Sequence, residues 1–432
     1  MIKSEATGLL APGGPGAEPS SPRERASRIT VLAAVEASLL GFALAVPLSL
    51  AAAQIFLGVF MLAWILSWRS TPAFRPRLRP RLAPVALGLL FTGEILAALV
   101  NHSPSHLDDP FRKHGVLIAL PALAAVAAAR PIFYRRVIGL AAATGAIVAF
   151  YAIWQHFMGV DVIRDRALEP HSEGAFIATG AFSHHLTYGG SAMLLLIAAA
   201  GLVAGGERWR GLPAALVLPL GFGLLWSYAR SAWGGAFVGV AALVSVRRGR
   251  RTLMLAAAAC AAGVLALALD STVRARVEES FRWQGTPPRL RLWQAAVRML
   301  ADHPLGIGPG RFDELFMRYW TPGRIHSTVH AHSDPLRAAL DGGPLGVAGY
   351  FGLVGGALVC AARGLRRRRG ADGAVGAGVD LAASSQRDLL LIAMAASAAF
   401  IVSGLFQTYF WDQEDVMLWL LLAAPAFSLR DD

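Results

Sequence analysis

Long apolar runs separated by short polar connections dominate the chain. A membrane-spanning helix needs about 20 apolar residues, with roughly 17 as the lower limit. The first run, residues 29–68, is about twice that length and has Pro47 near its middle, so it predicts two helices joined by a tight turn. With this pair, the pattern predicts twelve spans. The other ten runs lie at residues 84–100, 115–129, 137–158, 186–204, 212–226, 234–246, 252–269, 344–362, 388–408 and 416–429.

One long polar interval, residues 270–343, interrupts this pattern. It contains a plausible helix from residue 288 onwards, followed by a turn rich in proline and glycine at 304–310. The exposed backbone amides of such a turn suit anion binding. The interval ends in a segment with three histidines, directly before the next apolar run. Because ionisable residues at a membrane span usually serve a function, we expect a functional site there.

The composition agrees with a polytopic membrane protein. Hydrophobic residues make up 55% of the chain, charged residues only 16%, and the mean hydropathy is +0.50. The net charge of +12 would suit nucleic acid, but the arginines form short clusters between apolar runs, which is typical of membrane topology. We therefore expect contact with membrane lipids and not with nucleic acid. Cys260 and Cys360 each fall inside an apolar run, so we expect neither a disulfide framework nor a cysteine metal site.

The distribution of lysine and arginine predicts the orientation. If the N-terminus is cytoplasmic, the inside segments carry 25 of these residues and the short outside loops carry 5, while the interval 270–343 holds the other 10. Long loops are exempt from the charge rule, so both termini are expected in the cytoplasm. All eleven histidines then lie in outside loops or at outside helix ends.

This topology divides the chain into four parts. Residues 1–28, which are rich in Pro, Gly, Ser and Ala, are expected to form a disordered cytoplasmic tail. The other parts are transmembrane helices 1–9 at residues 29–269, a large extracytoplasmic loop at 270–343, and transmembrane helices 10–12 at 344–432 with a basic cytoplasmic linker at 363–387.

Three arginines are candidates for binding an anion, because the planar guanidinium fork matches phosphate oxygens. Arg289 lies four residues before Trp293, so the two side chains share one face of the expected helix. Arg230 lies in a short outside turn between two spans, where it must find an anion or a dipole partner. Arg337 lies about one helical turn beyond His332.

The end of the polar interval carries a motif of fixed spacing. His332-Ser333, nine residues, Gly343, two residues and Gly346 match the pattern His-[Asn/Ser/Gln]-x9-Gly-x2-[Gly/Thr/Tyr], which resembles the signature of the O-antigen ligase family. The turn at 228–233 resembles that family's Ser-Arg-Gly-x-Trp turn, with alanine where serine is common. O-antigen polymerases and protein O-oligosaccharyltransferases share much of the histidine signature.

Two further segments resemble the region that opens the large periplasmic loop of this family, at residues 289–293 and 303–312. The resemblance implies an all-α, GT-C-like integral protein of the bacterial inner membrane, with twelve or so helices and one large, partly helical periplasmic loop. It implies transfer of a glycan from undecaprenyl pyrophosphate to a hydroxyl of lipid A–core in lipopolysaccharide biosynthesis, with no metal or other cofactor. Attack from the face opposite the leaving group implies inversion at the anomeric carbon.

The resemblance also implies roles for individual residues. His332 deprotonates the acceptor hydroxyl, since an imidazole with a pKa of about 6.5 suits a general base at neutral pH. Cationic side chains neutralise the pyrophosphate as it leaves, which removes much of the need for a divalent cation. These side chains are Arg230, Arg289 and Arg337. The supporting residues are His330, Ser333, Gly343, Gly346 and Trp293.

Other interpretations stay open. A polymerase of the same superfamily would use another lipid-linked glycan as its acceptor. A twelve-span secondary transporter would place its binding groups near the bilayer midplane in two related halves, whereas here the polar groups cluster outside the membrane and the halves do not look alike. A family member with a structural role only would tolerate His332→Ala.

A metal site is a further alternative, although such spacings are common by chance. Its ligands would come from His326, His330, His332 and Asp334.

Overall fold

The protein is described by a computed structural model, which covers residues 22–69, 71–75, 82–102, 104–172, 174–205, 212–247, 249, 268, 271–279, 288–320, 330–371 and 380–428. Residues 1–21 of the predicted tail, all of the ninth predicted span but residue 268, and His326 lie outside these residues. The predictions made for them stay untested.

The described part of the chain is mostly helical, with two small β-hairpins. The helices are α1 (Pro22–Ala45), α2 (Leu50–Ser67), α3 (Leu82–Val100), α4 (Asp109–His114), α5 (Leu120–Ala129), α6 (Pro131–Met158), α7 (His185–Gly205), α8 (Leu212–Trp226), α9 (Arg230–Val246), α10 (Ser271–Glu279), α11 (Pro288–Asp302), α12 (Phe312–Tyr319), α13 (Asp334–Ala371), α14 (Leu381–Gly404) and α15 (Gln413–Ala423). The strands are β1 (Val160–Asp161), β2 (Arg166–Ala167), β3 (Pro170–Ser172) and β4 (Ala175–Phe176), with β1 antiparallel to β2 and β3 antiparallel to β4. Short 3₁₀ helices lie at Pro72–Phe74, Pro104–His106, Gly115–Ala119, Tyr409–Trp411 and Ala424–Ser428.

The first apolar run forms two helices, as predicted. Helix α1 ends at Ala45 and α2 begins at Leu50, so Pro47 lies in the turn between them. Ser49 caps α2, because its side chain accepts a hydrogen bond from the amide of Ala52. Helix α1 begins at Pro22, so the last residues of the predicted tail are helical. Proline is well tolerated there, since the first turn of a helix needs no amide donor.

Seven described helices are long and apolar enough to cross a membrane. They are Leu50–Ser67, Leu82–Val100, Asp109–Ala129, Pro131–Met158, His185–Gly205, Asp334–Arg368 and Leu381–Gly404, and shorter apolar helices lie at Ile29–Ala45, Pro213–Trp226 and Arg230–Val246. The protein is therefore a mostly helical membrane protein. These ten helices match ten of the twelve predicted runs, and the run at 416–429 contains most of α15 and the 3₁₀ helix after it. Twelve spans stay a prediction.

Helices α7 and α14 lie at the centre of the bundle. The buried share of their apolar stretch is 89% for α7 and 78% for α14, against 33% for α2. Glycine allows the central helices to approach closely, since a Cβ atom at Gly201 of α7 would collide with Ile392 of α14. Likewise, a Cβ atom at Gly235 of α9 would collide with Met193 of α7.

One end of the bundle is fastened by a buried aspartate. Asp388 of α14 accepts from Arg135 of α6 at 3.2 Å and from Arg247, just beyond α9, at 3.1 Å. Arg247 also donates to the carbonyls of Ala204 and Gly205 at the end of α7. A single carboxylate therefore connects four helices, and its two cationic partners compensate for its burial.

Helix α13 is bent at Gly343 and Pro344. Gly343 has φ +59 and ψ −149, a conformation that only glycine adopts readily. Pro344 has no amide hydrogen, so the carbonyl of Leu340 loses its partner in the helix. The amide of Ile307 donates to that carbonyl instead, at 2.6 Å, and that of Gly308 donates at 3.3 Å. The expectation that these turn amides bind an anion is therefore wrong for these two, because they complete a broken helix.

The polar interval is partly helical and has a small apolar core of its own. Helices α11 and α12 bury Leu292, Ala296, Phe312 and Phe316 against each other and against Leu340 of α13. This packing fixes α11 relative to the start of α13. The sequence predicts that the polar interval ends at residue 343 and that the next membrane helix begins at 344. Helix α13 instead begins at Asp334, because the bend allows helical residues on both sides of Gly343.

Candidate active site

The histidine segment, residues 330–334, lies directly before and at the first turn of α13. Its central residue, His332, has φ +48, which is unusual for a residue with a side chain. Trp293 of α11 holds this segment, because its indole Nε1 donates to the carbonyl of Ala331 at 3.1 Å. Asp334 is fully buried, and its Oδ1 accepts from the amide of Phe410 at 2.9 Å. The backbone around His332 is thus anchored on both sides.

The connector between α14 and α15, residues 405–412, supplies the side chains that contact the two histidines. Nδ1 of His332 lies 2.6 Å from Oε1 of Gln407. Nδ1 of His330 lies 3.0 Å from the hydroxyl of Thr408 and 3.3 Å from the amide nitrogen of His332, which donates to it. The imidazole rings of the two histidines meet edge to face at 4.2 Å. Gln407 and Thr408 are buried, so these contacts are protected from solvent.

Both imidazoles are less basic than a free histidine. Burial lowers the pKa of His332, the charges of Arg289 and His184 lower it further, and the hydrogen bond to Gln407 raises it. Burial lowers the pKa of His330 to about 3, and the charges of His332 and Arg337 contribute. Both rings are therefore neutral at neutral pH, which a general base must be before it accepts a proton.

The three candidate arginines occupy different positions. Arg289, in the first turn of α11, acts electrostatically on His332, so it belongs to the site. Arg230 is the first residue of α9, and its neighbour Ser231 bonds the hydroxyl of Tyr409 in the connector at 3.0 Å. Arg337 is only 5% exposed, and its Nε donates to Asp341 at 2.6 Å within α13.

The signature residues beside His332 have structural contacts. Ser333 is buried, and its carbonyl accepts from the amide of Arg337 as the helix starts. Gly343 forms the bend, and a Cβ atom there would lie 2.6 Å from the backbone of Leu305. A Cβ atom at Gly346 would collide with the carbonyl of Ala338 across the bend. These glycines therefore shape α13, and their spacing from His332 sets where the bend falls.

A third histidine, His184, belongs to the same site. Its charge lowers the pKa of both His330 and His332, and its own pKa is lowered by burial. The loop that carries it is held by two arginines next to the buried Asp161. Arg164 donates to the carbonyl of Ala181 and Arg166 to that of Ser183, both at 2.7 Å.

Ends of several helices meet around these residues. The ring of His185, at the start of α7, bonds the carbonyl of Ser227 between α8 and α9 at 2.8 Å. Thr187 of α7 donates to Asp412 of the connector. The site therefore lies where α7, α9 and α13 begin and α14 ends.

Comparison with protein-family models gives a match over part of the chain. Residues 214–351 match the family described as O-antigen ligase. These residues are therefore similar to an O-antigen ligase domain, and they are called that below. This domain covers about a third of the chain and includes Arg230, Arg289 and the signature from His332 to Gly346. No curated protein matches the chain.

The domain indicates an enzyme of the O-antigen ligase/polymerase superfamily, with glycosyltransferase-like activity. Three residues of the site lie outside the O-antigen ligase domain: His184, Gln407 and Thr408. The sequence analysis missed the last two. Their signal was a polar pair at the end of an apolar run, on the side predicted to carry the histidines.

Within the described residues, no three or more His, Cys, Asp or Glu side chains are grouped so as to hold a metal ion. His326 lies outside those residues, so the four-ligand alternative is not tested.

Proposed function

We propose that this protein is an O-antigen ligase of the bacterial inner membrane. It transfers a glycan from undecaprenyl pyrophosphate to a hydroxyl of lipid A–core, in lipopolysaccharide biosynthesis. The observation that carries the proposal is the neutral imidazole of His332, which lies within an O-antigen ligase domain and under the influence of the Arg289 charge. A base beside a fixed cation suits attack by a hydroxyl on a carbon that bears a phosphate leaving group.

In the proposed reaction, the hydroxyl oxygen of the acceptor attacks the anomeric carbon of the donor glycan. His332 takes the hydroxyl proton as the new carbon–oxygen bond forms. The bond from the anomeric carbon to the pyrophosphate oxygen breaks, and that oxygen leaves with the electron pair. Because attack and departure occur on opposite faces, the configuration at the anomeric carbon is inverted.

Arginines stabilise the leaving pyrophosphate in this proposal. Arg289 and Arg230 serve as direct contacts, since both lie at helix starts beside the histidine segment or the connector. Arg337 is a weaker candidate for direct contact, because Asp341 already accepts from its guanidinium. Its positive charge still contributes to the potential at the site, as its effect on the pKa of His330 indicates.

The charge distribution along the sequence supports an active site that faces the periplasm, with both termini in the cytoplasm. The donor lipid and lipid A–core would then approach from the periplasmic leaflet. The polar interval 270–343, with its separate small core, would form the periplasmic cover of the site.

The test is to delete the gene and restore it as wild type, His332→Ala or His303→Ala. His303 is the matched control, a histidine of the same polar interval to which no role is assigned. We expect His332→Ala to lower transfer by about 10²–10⁴-fold, the usual contribution of a general base. Lipopolysaccharide gels and an assay of lipid-linked glycan measure the result.

Loss of the ladder with unmodified core, while long chains accumulate on undecaprenyl pyrophosphate, would support a ligase. Core capped by a single repeat would instead indicate a polymerase and would contradict ligation. An unchanged ladder and an unchanged lipid-linked pool after deletion would contradict both activities. The His303→Ala variant should behave as wild type.

A further inference from the structure

The tautomers of the histidines in this site follow from their hydrogen-bond partners. A neutral imidazole carries one proton, so one ring nitrogen donates and the other accepts. A backbone amide can only donate. Nδ1 of His330 lies 3.3 Å from the amide nitrogen of His332, so it must accept, and the proton of His330 lies on Nε2. The Thr408 hydroxyl, 3.0 Å from the same Nδ1, then also donates to it.

His184 has the same tautomer for the same reason. Its Nδ1 accepts from the backbone amide of Leu186 at 3.1 Å. The neutral ring therefore carries its proton on Nε2. Two of the three histidines in the site thus have a protonated Nε2, and a ring nitrogen that already carries a proton cannot act as the base.

His332 differs from both. Its Nδ1 faces the amide oxygen of Gln407 at 2.6 Å, and an amide oxygen can only accept. Nδ1 therefore carries the proton, and the lone pair of the neutral ring is on Nε2. The left-handed backbone of His332 brings its amide to His330 and its ring to Gln407 at the same time.

We propose that Gln407 is a positioning residue that holds His332 in the tautomer with a free Nε2, and that His330 presents an Nε2–H donor to an oxygen of the reacting substrates. The inference rests on the proposed function and deepens it, because it divides the work of the two histidines. His332 accepts the proton and His330 donates a hydrogen bond.

In this arrangement the proton and the electron pair of the broken bond each have a defined acceptor. The acceptor hydroxyl gives its proton to Nε2 of His332 while its oxygen bonds to the anomeric carbon, and the pyrophosphate leaves with the electrons of the broken bond. The imidazolium so formed keeps its Nδ1–H bond to Gln407. The charges that reach His332 are those of Arg289 on α11 and His184 ahead of α7, and His330 lies next to it in the same segment. At neutral pH the Arg289 charge favours return of the proton to water, and His184 adds to this effect only when it is itself protonated.

The first experiment reads the tautomers directly. Full-length protein labelled with ¹⁵N-histidine, in lipid bilayers, is studied by solid-state NMR at neutral pH. The His332→Ala and His330→Ala spectra identify the two signals by difference. We expect a protonated Nδ1 and a bare Nε2 in His332, and the reverse in His330. A protonated Nε2 in His332, which the opposite orientation of the Gln407 amide would give, overturns the inference without using any activity.

The second experiment measures transfer as a function of pH. In Gln407→Glu a carboxylate replaces the amide and stabilises the imidazolium of His332. We expect the acidic limb of kcat/KM to move upward by about 1–3 pH units, the usual effect of an adjacent opposite charge. Gln407→Leu should lower kcat without moving KM. Gln413→Glu is the matched control, because Gln413 contacts Gln54 and the Arg112 carbonyl rather than a histidine.

An unmoved acidic limb in a folded Gln407→Glu protein would overturn the positioning role of Gln407. If wild-type protein transfers nothing to lipid A–core, the proposed function fails, whereas the NMR result still decides the tautomers.

Two substitutions of His330 test its donor role. The amide nitrogen of glutamine can replace Nε2 of histidine, and that of asparagine can replace Nδ1. His330→Gln should therefore retain more transfer than His330→Asn or His330→Ala, with the difference in kcat. Greater activity in His330→Asn than in His330→Gln would overturn the donor role.

Discussion

The left-handed backbone of His332 carries strain that its surroundings must offset. Such a conformation costs about 1–3 kcal/mol when a side chain is present. Two hydrogen bonds flank it, from Trp293 to the carbonyl of Ala331 and from the His332 ring to Gln407. Each contributes about 0.5–1.5 kcal/mol net, so together they roughly match the strain. The histidine is therefore held in place by α11 and the connector, in addition to the bond from its own amide to His330.

The reduced basicity of His332 predicts how transfer depends on pH. A general base works only when it is neutral, and the folded protein lowers its pKa from 6.5, mainly by burial. The acidic limb of kcat/KM should therefore lie below pH 6.5, with full activity above it. Transfer measured over a range of pH in a buffer of constant ionic strength tests this. An acidic limb above pH 6.5 would contradict a buried neutral base.

The same shift has a consequence for stability. Because the folded pKa of His330 and His332 lies below the unfolded value, the folded state binds fewer protons than the unfolded state once the pH falls below about 6.5. Folding is then opposed below the unfolded pKa of about 6.5, and this effect grows for His330 until about pH 3, its folded pKa. Acid should loosen this site before it affects the apolar core.

At the scale of elements, the bend in α13 connects the polar interval to the membrane helices. Gly343 and Pro344 break the helix, and the turn at residues 306–308 fills the gap with its amides. Asn101, at the end of α3, donates to the carbonyl of Gly306 at 2.9 Å. The turn at 306–308, the bend in α13 and the end of α3 are therefore joined by hydrogen bonds into one unit.

Gly343→Ala should disrupt this unit. The new Cβ atom would lie 2.6 Å from the carbonyl carbon and oxygen of Leu305, and the backbone has a φ of +59. We expect a loss of stability of more than about 1–3 kcal/mol, since a clash is added to the backbone strain. Thermal unfolding of the purified protein in detergent measures it, and glycan transfer should fall in parallel.

Gly355→Ala is the matched control for that variant. It changes the same residue type in the same helix, and no atom lies within 4 Å of the new Cβ position. Alanine is favoured over glycine in a helix interior by about 0.5–1 kcal/mol, so this variant should be unchanged or slightly more stable. Equal losses of thermal stability in both variants would mean that the effect of Gly343→Ala does not come from disrupting the bend.

Sequence patterns predicted the elements better than the contacts between them. The helix pair around Pro47 and the shared face of Arg289 and Trp293 follow from local spacing, which one sequence displays. The contact between His332 and Gln407 joins residues 75 positions apart, and no periodicity encodes such a pair. From the sequence, the amides of the glycine turn were expected to bind an anion. They instead donate to the carbonyl of Leu340, which Pro344 leaves without a partner in the helix, and the sequence does not show that the turn and this carbonyl come together in the fold.

At the scale of the whole molecule, Asp388 should be important for stability. Its side chain is 2% exposed and accepts from arginines on two other elements. Asp388→Ala leaves Arg135 and Arg247 without this partner, and breaking a buried ion pair costs about 3–5 kcal/mol. Thermal unfolding should show a clear drop in Tm.

The control for Asp388 is an ion pair whose arginine is exposed. Arg112 is 73% exposed and lies 3.4 Å from Asp109, so Arg112→Ala should change stability by less than about 1 kcal/mol. A similar drop in Tm in both variants would show that the burial of Asp388 does not explain its effect on stability.

The predicted orientation of the bundle can be tested with single cysteines. The histidine site lies where α13 begins and α14 ends, whereas Asp388 lies near the start of α14, at the other end of that helix. The four arginines at residues 366–369, in the last turns of α13, indicate that the Asp388 end faces the cytoplasm. The test protein carries Cys260→Ala and Cys360→Ala, and then either Glu169→Cys between strands β2 and β3 or Arg366→Cys near the end of α13. Both positions are exposed.

Intact cells with a permeabilised outer membrane are treated with a maleimide that cannot cross the inner membrane. We expect labelling at position 169 and protection at position 366 until the cells are lysed. Arg164 and Arg166 connect the β1–β2 hairpin to the segment that ends at His184. Since residue 169 lies two positions beyond β2, its label also reports the side on which the histidines lie. The reverse labelling would place the site in the cytoplasm, where a periplasmic transfer to lipid A–core could not occur.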